Sequence, residues 1–142
     1  MISALTCMAL AIYFEARAEP LVGQLAVANV IMNRVADNRY PNEVCAVVTQ
    51  GKLGSKPTDI VRRDQCQFSF YCDGRSDTPK DKEAFRFAID ISSHILASVW
   101  LDPTDGSTHY HSIDVHPSWA KAKTRVARIE NHIFYRWEQN GS

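Results

Sequence analysis

Two glutamates near the start of the chain carry the side chains best suited to acid–base chemistry. Glu15 follows Tyr13 and Phe14, and Glu19 comes one helical turn later, directly before Pro20. A carboxylic acid in partly apolar surroundings has a raised pKa, so it stays protonated near neutral pH and can donate a proton to a leaving oxygen. Glu15 is therefore a candidate general acid, and Glu19 is the candidate second carboxylate that a two-carboxylate reaction requires.

Histidines offer a second chemistry, which is metal binding. His109 and His111 are two positions apart, so on a strand they share one face, as zinc ligands can. A third ligand could come from Asp114, His116 or Glu15. No His-Glu-x-x-His or other specific metal motif is present, so we expect hydrogen-bonded histidines and no metal or other cofactor.

The four cysteines lack the spacing of a zinc ribbon or a CxxC redox motif. Cys7 lies in an apolar helical pattern and is predicted to be a buried thiol. Cys45, Cys66 and Cys72 flank a loop-rich stretch, and either one disulfide or three free thiols fits the sequence.

Composition indicates an ordinary folded domain. The chain has 142 residues, 45% apolar and 23% charged, with a formal net charge of zero. The neutral balance argues against a nucleic-acid partner, and no run is long enough to insert into a membrane. We expect one domain over residues 1–142, acting as a monomer. The apolar opening stretch lacks a basic start and a cleavage site, so it is interpreted as the first helix and not as a signal peptide.

Hydrophobic periodicity predicts the elements that position these residues. Pro20 ends the first helix and begins the second, Asn42 is a candidate cap for a short third helix, and Glu130–Asn131 is a candidate hairpin tip. The predicted helices cover residues 4–18, 21–37, 42–50 and 80–100. The predicted non-helical elements are a strand-like segment 66–72, an extended run 108–111, a helical turn 117–123 and a hairpin 125–137. Helices first and small hairpins last predict an α+β fold, mainly helical.

Four segments, in this order, resemble the spore-cortex-lytic and cell-wall-hydrolase family (SleB-like). They are IYFEARAEP at 12–20 with 23–35 and YPN at 40–42; CQFS at 66–69 with CDG at 72–74; THYH at 108–111 with PSWA at 117–120; and NHIFY at 131–135. The chain departs from the family pattern at Ala18 and Glu130, where glycine is usual, and at Ser112, where asparagine is frequent.

The resemblance implies a lysozyme-like fold with the catalytic glutamate, Glu15, at the end of the first helix and small β-hairpins forming one wall of a substrate groove. It implies cleavage of peptidoglycan glycan strands between N-acetylmuramic acid and N-acetylglucosamine, as a lytic transglycosylase that leaves 1,6-anhydro ends. Glu19 is then a positioning residue, for which Arg17 or Arg34 is a candidate partner. The predicted substrate-binding residues are Glu19, Gln67, Phe68, Ser69, Thr108, His109, Tyr110, Asn131 and His132.

Three other functions stay open at this point. A muramidase would hydrolyse the same bond, a zinc-dependent amidase would use the histidines, and a glycan-binding module would lack turnover. The absence of a signal peptide predicts a chain made in the cytoplasm that acts on peptidoglycan in the periplasm or cell wall, as phage endolysins do.

Overall fold

The computed structural model describes residues 2–53, 61–97 and 101–139. Four helices contribute more residues to this structure than its strands do: α1 (Ala4–Ala16), α2 (Leu21–Ala36), α3 (Val44–Val48) and α4 (Lys82–Leu96). None of the described helices is long and apolar enough to cross a membrane.

Local capping explains where the helices begin. Ser3 Oγ accepts from the backbone N–H of Thr6 at the start of α1, and Asp81 does the same for Ala84 at the start of α4. Pro20 takes the N-cap position before α2, which begins at Leu21 as predicted. The predicted Asn42 cap is wrong, because Glu43 takes the capping position and no side chain caps α3.

Helix α1 is buried along most of its length and packs against the other three helices. Met8, Ile12 and the α2 residues Val27 and Ile31 are fully buried at its centre. By contrast α4 buries a single stripe, since only Ala88, Ile91, Ser92 and Ile95 are buried. The helix predicted over 80–100 is two residues shorter at its start, and residues 98–100 lie outside the described part of the chain.

Two small antiparallel sheets complete the fold. Strands β1 (Gly51–Leu53) and β2 (Val61–Cys66) form one, while β3 (His109–Ser112), β4 (Thr124–Ile129) and β5 (His132–Arg136) form the other in the order β3-β5-β4. The predicted hairpin tip at Glu130–Asn131 is confirmed, with Glu130 at a φ of 52°. The predicted strand 66–72 is wrong beyond Cys66, because Ser69–Cys72 forms a 3-10 turn. A second 3-10 turn, Ser118–Ala122, confirms the predicted helical turn.

All four cysteines are paired. Cys7 binds Cys45 and joins α1 to α3, and Cys66 binds Cys72 across the 3-10 turn after β2. The prediction of a buried Cys7 thiol is wrong. The packing of α3 against α1 brings Cys45 to it from 38 positions away, and nothing local to Cys7 indicates that contact.

Candidate active site

Glu15 lies in the last turn of α1, where that helix meets the three-stranded sheet. Its Oε1 accepts a hydrogen bond of 2.5 Å from the hydroxyl of Tyr110 on β3. The Tyr110 ring stacks on Phe134 and meets the edge of His132, both on the neighbouring strand β5. The sheet therefore places a rigid hydroxyl donor directly against a carboxyl that the helix holds in place.

Burial raises the pKa of Glu15 above its ordinary value, against the opposing effects of the Tyr110 hydrogen bond and the positive charge of Arg34. Burial and the neighbouring Glu15 also raise the pKa of Tyr110 well above its usual range, so the phenol remains a donor. With Tyr110 beside it, Glu15 can give up a proton as a carboxylic acid, and the Tyr110 hydroxyl can then stabilise the carboxylate that forms.

Arg34 is a buried cation on α2, only 5% exposed. Its Nε donates to the backbone oxygen of Thr108 at 2.7 Å, and its guanidinium carbon lies 5.1 Å and 5.5 Å from the ring centroids of Tyr40 and Phe68. Its Nη1 is buried without a hydrogen-bond partner among the described residues. This fixed charge acts on Glu15 through space, because no direct contact joins the two side chains in the described structure.

Glu19 faces the hairpin tip between β4 and β5. Its Oε1 lies 3.1 Å from Nδ1 of His132, although the ring is not aligned for a hydrogen bond, and its Oε2 accepts from Asn131 at 3.3 Å. Gln24 donates to its backbone oxygen at 3.1 Å. The prediction that Arg17 or Arg34 is the partner of Glu19 is thus wrong, because the oxygens of Glu19 contact two residues of the hairpin instead.

Two open cavities meet at Glu15 and together form a groove. The basic cavity, of about 390 Å³, has Arg17, Asp73, Arg75 and Lys80 on its walls. The hairpin cavity, of about 350 Å³, has Ala18, Glu19 and Asn131 on its walls. Phe14, Glu15 and Arg17 line both. A chain-like ligand lying along the groove would therefore pass over Glu15.

The structure brings together five of the residues predicted for the site, namely Glu15, Glu19, Tyr110, Asn131 and His132. Ser69 also lines the basic cavity, and Gln67 is exposed nearby in sequence. Phe68 is 1% exposed, so the prediction that it binds substrate is wrong. The ring instead contacts Arg34 from within the core.

Thr108 and His109 are placed away from the groove. Thr108 is buried, and its backbone oxygen accepts a hydrogen bond from Arg34. His109 and His111 point to the sheet face opposite Tyr110, because side chains alternate along a strand. There His109 lies among Tyr40, Trp119 and Trp137, and burial lowers its pKa to about 4. These positions do not support the predicted contact of Thr108 and His109 with substrate.

The histidines are engaged in hydrogen bonds. His111 contacts the backbone oxygen of Ser112 through Nδ1 and the hydroxyl of Tyr135 through Nε2, and His109 contacts the hydroxyl of Thr108. Within residues 2–53, 61–97 and 101–139, no three histidine, cysteine, aspartate or glutamate side chains form a group that could hold a metal ion.

Sequence reasoning missed Arg34 as a neighbour of Glu15, and it missed the basic cavity. Arg34 gave a signal, since it is the one charged residue of α2. Arg75 and Lys80 gave none, because they come from a polar loop and reach the cavity only through packing of that loop against α1.

Comparison with known proteins places these features in a family. The sequence model of the family described as Cell Wall Hydrolase matches residues 18–135. The spore cortex-lytic enzyme of Halalkalibacterium halodurans is 34% identical over 89% of this chain and 33% of its own length, and that of Bacillus subtilis is 29% identical over 89% and 35%. The chain thus spans about a third of the length of these relatives.

Two solved structures share the fold. The catalytic domain of the Bacillus cereus SleB protein superposes with a TM-score of 0.65 at 28% identity, covering 94% of this chain and 89% of that domain. The catalytic domain of the germination-specific lytic transglycosylase SleB from Bacillus anthracis gives 0.66 at 29% identity, covering 94% and 93%. The lysozyme-like, mainly helical α+β prediction is confirmed. The chain belongs to the Cell Wall Hydrolase family.

Proposed function

We propose that this chain cleaves peptidoglycan glycan strands between N-acetylmuramic acid and N-acetylglucosamine, with Glu15 as its single catalytic acid. The observation that carries the proposal is a half-buried carboxyl with a raised pKa at the junction of two open cavities. The relatives named spore cortex-lytic enzyme and germination-specific lytic transglycosylase support the same class of reaction.

In the proposed mechanism, protonated Glu15 donates its proton to the glycosidic oxygen as the bond from that oxygen to C1 of muramic acid breaks. The Tyr110 hydroxyl then stabilises the Glu15 carboxylate. That carboxylate accepts the proton of the muramic acid C6 hydroxyl, whose oxygen bonds to C1. The products are a free hydroxyl on the leaving sugar and a 1,6-anhydro end, and no water is consumed.

The environment of Glu19 supports this single-acid scheme. Its two oxygens contact His132 and Asn131, and its side chain is only 8% exposed. A carboxylate used as nucleophile or base would need an oxygen free to face the sugar or a water. We therefore assign Glu19 to positioning the hairpin against the end of α1.

The test is product analysis of purified peptidoglycan digested by the wild-type chain and by Glu15→Gln. We expect products lighter than reducing-end fragments by one water from the wild type, none from Glu15→Gln, and reduced but measurable turnover from Glu19→Gln. Reducing ends would instead establish a muramidase, for which Asp73 in the basic cavity is the available second carboxylate. Near-normal turnover by a folded Glu15→Gln variant would refute the role of Glu15.

A zinc-dependent amidase is the remaining enzyme alternative, and chelation separates it. We expect activity to survive EDTA, because His109 and His111 are engaged in hydrogen bonds away from the groove. Loss of activity in EDTA with recovery on adding zinc would assign the histidines to a metal.

We also propose that residues 1–142 work as one monomeric catalytic unit on periplasmic or cell-wall peptidoglycan. The two disulfides support an oxidising compartment, since such bonds rarely persist in the cytoplasm. An endolysin-like route predicts that cells producing the chain lyse only after the inner membrane is permeabilised, and only when Glu15 is intact.

A further inference from the structure

The basic cavity concentrates positive charge beside the candidate acid. Arg17, Arg75 and Lys80 lie on its walls, against one other carboxylate besides Glu15, that of Asp73. This imbalance is local, because the whole chain has a formal net charge of zero. A groove that only had to accept neutral sugars would gain nothing from this excess of cations.

The fold holds this cavity together through Tyr13. Its hydroxyl accepts from the backbone N–H groups of Lys80 at 3.1 Å and Asp81 at 3.0 Å, which ties the segment before α4 to α1. The guanidinium of Arg17 lies 4.7 Å from the centroid of the same ring. One buried tyrosine therefore holds the backbone of Lys80 and the guanidinium of Arg17 near the end of α1.

These cations also lack ion-pair partners in the part of the chain that the structure describes. Arg17, Arg75 and Lys80 form no ion pair with another described residue, whereas Arg39 pairs with Asp37 at 2.7 Å and Arg136 with Asp105 at 2.9 Å. Asp73 can offset only one of the three charges, and its Oδ1 accepts from the backbone N–H of Arg75 at 2.8 Å within its own loop. Among the described residues, the walls of the basic cavity therefore carry more cations than carboxylates.

We propose that the basic cavity binds a carboxylate carried by the muramic acid residue at the cleavage site, an inference that rests on the proposed function. N-acetylglucosamine is neutral, so the anions of a glycan strand are those attached to muramic acid. They are either the free lactyl carboxylate or the carboxylates of the stem peptide. Guanidinium and ammonium groups form charge-assisted hydrogen bonds with both. The chain therefore prefers strands with acidic muramic acid to strands in which the lactyl group is closed into a neutral lactam.

Three substrates distinguish the sources of the carboxylate. The first is strands with intact stem peptides, the second is strands stripped by an amidase so that only the lactyl carboxylate remains, and the third is strands rich in muramic lactam. We expect kcat/KM to be lowest on the lactam strands. A higher value on the second would assign binding to the lactyl carboxylate, which is free only after the peptide is removed. A higher value on the first would assign binding to the carboxylates of the peptide. A kcat/KM on lactam strands equal to or above the others would overturn the proposal.

Variants test whether these cations cause the preference. Arg75→Gln and Lys80→Gln should each lower kcat/KM on carboxylate-bearing strands about fivefold, mainly through KM, because they remove binding without touching the acid. Asp73→Asn should act in the opposite direction and lower KM. Arg86→Gln is the matched control, as it removes an exposed cation on α4 outside the cavity. Arg75→Gln and Lys80→Gln values matching Arg86→Gln would overturn the proposal.

Binding to Glu15→Gln separates this inference from the proposed function. Calorimetry is done with N-acetylmuramic acid, which carries the free lactyl carboxylate, and with an N-acetylmuramyl dipeptide, which carries a peptide carboxylate. At least one of the two should bind, and its binding should weaken with added salt and with Lys80→Gln, whether or not the wild type cleaves strands. Binding without any cleavage by the wild type would reject the proposed function and keep the anion site. Cleavage with no binding difference between Glu15→Gln and its Lys80→Gln double variant would reject the anion site alone.

Discussion

At the scale of single residues, the environment of Glu15 balances opposing effects. Burial raises its pKa, while the Tyr110 hydrogen bond and the charge of Arg34 favour the ionised form. An acid that must be protonated before the reaction and ionised after it needs both, because either effect alone would favour one state too strongly.

This balance has a cost for folding that depends on pH. Because the folded-state pKa of Glu15 is raised, the unfolded chain binds fewer protons in the window between the ordinary and raised values, and stability falls as the pH rises through it. Glu15→Gln cannot ionise, so we expect it to melt at a higher temperature than the wild type above that window and at a similar one below it. Thermal melts across pH test this, with Asp114→Asn, an exposed carboxylate, as control. A lower melting temperature for Glu15→Gln at neutral pH would contradict it.

Tyr110→Phe tests the opposing side of the balance. The lost hydrogen bond had favoured the carboxylate, so the pKa of Glu15 should rise further and the alkaline limb of kcat/KM should move to higher pH. The maximum rate should fall, since the carboxylate formed in the reaction loses its donor. Tyr135→Phe is the matched control, because that hydroxyl contacts His111 on the opposite face of the sheet. An alkaline limb that stays in place would exclude Tyr110 from tuning the acid.

At the scale of elements, the junction between α1, α2 and the β4–β5 hairpin decides the geometry of the groove. Glu19 lies in the short turn between the two helices, and its contacts with Asn131 and His132 draw the hairpin tip to that turn. Gly23 on α2 makes this possible, because a Cβ there would lie 2.8 Å from Cβ of Glu19.

The substitution Gly23→Ala therefore has two opposing effects, because alanine stabilises the helix while its methyl group displaces Glu19. Alanine favours a helix by about 1 kcal/mol over glycine. The added methyl must nevertheless displace Glu19, so we expect no gain in melting temperature and a roughly tenfold loss of kcat/KM from the misplaced hairpin. Ser93→Ala, at an exposed position of α4, is the control, because it changes helix propensity without causing that clash. Full activity with a raised melting temperature in Gly23→Ala would show that Glu19 does not position the groove.

At the scale of the whole molecule, the two disulfides have different tasks. Cys7–Cys45 joins α1 to α3, with Cys7 in the helical core, and neither cysteine lines the basic cavity. Cys66–Cys72 closes the 3-10 turn that supplies Ser69 and Phe70 to the basic cavity. We therefore expect the first disulfide to act mainly on stability and the second to act on the shape of the groove.

Removing each bond should separate the two roles. Cys7→Ala with Cys45→Ala frees a loop closed over 38 positions, for which chain entropy predicts a loss of about 4 kcal/mol and a fall in melting temperature of roughly 10 °C. Cys66→Ala with Cys72→Ala opens a loop that spans a sequence separation of only 6. We therefore expect it to lower stability less, and activity more, than the first double variant does. Melts and initial rates of both double variants test this, and the reverse ranking on either readout would contradict it.

The sequence by itself determined what depends on near neighbours. Pro20 separates α1 from α2, Glu130–Asn131 turns the β4–β5 hairpin, and the pattern around Glu15 places that residue at the end of a buried helix. Capping, turn formation and hydrophobic periodicity act over a few positions, so they are readable along the chain.

Only the tertiary structure decided what depends on distant segments. Tertiary packing brings Cys7 to Cys45 and buries Phe68 against Arg34. It also places Glu19 beside His132 instead of beside an arginine. The cations of the basic cavity come together from separate elements. Each of these contacts follows from how whole helices and hairpins pack. The residues involved have ordinary local patterns, and their role appears only when packing buries them or leaves their charge without a partner.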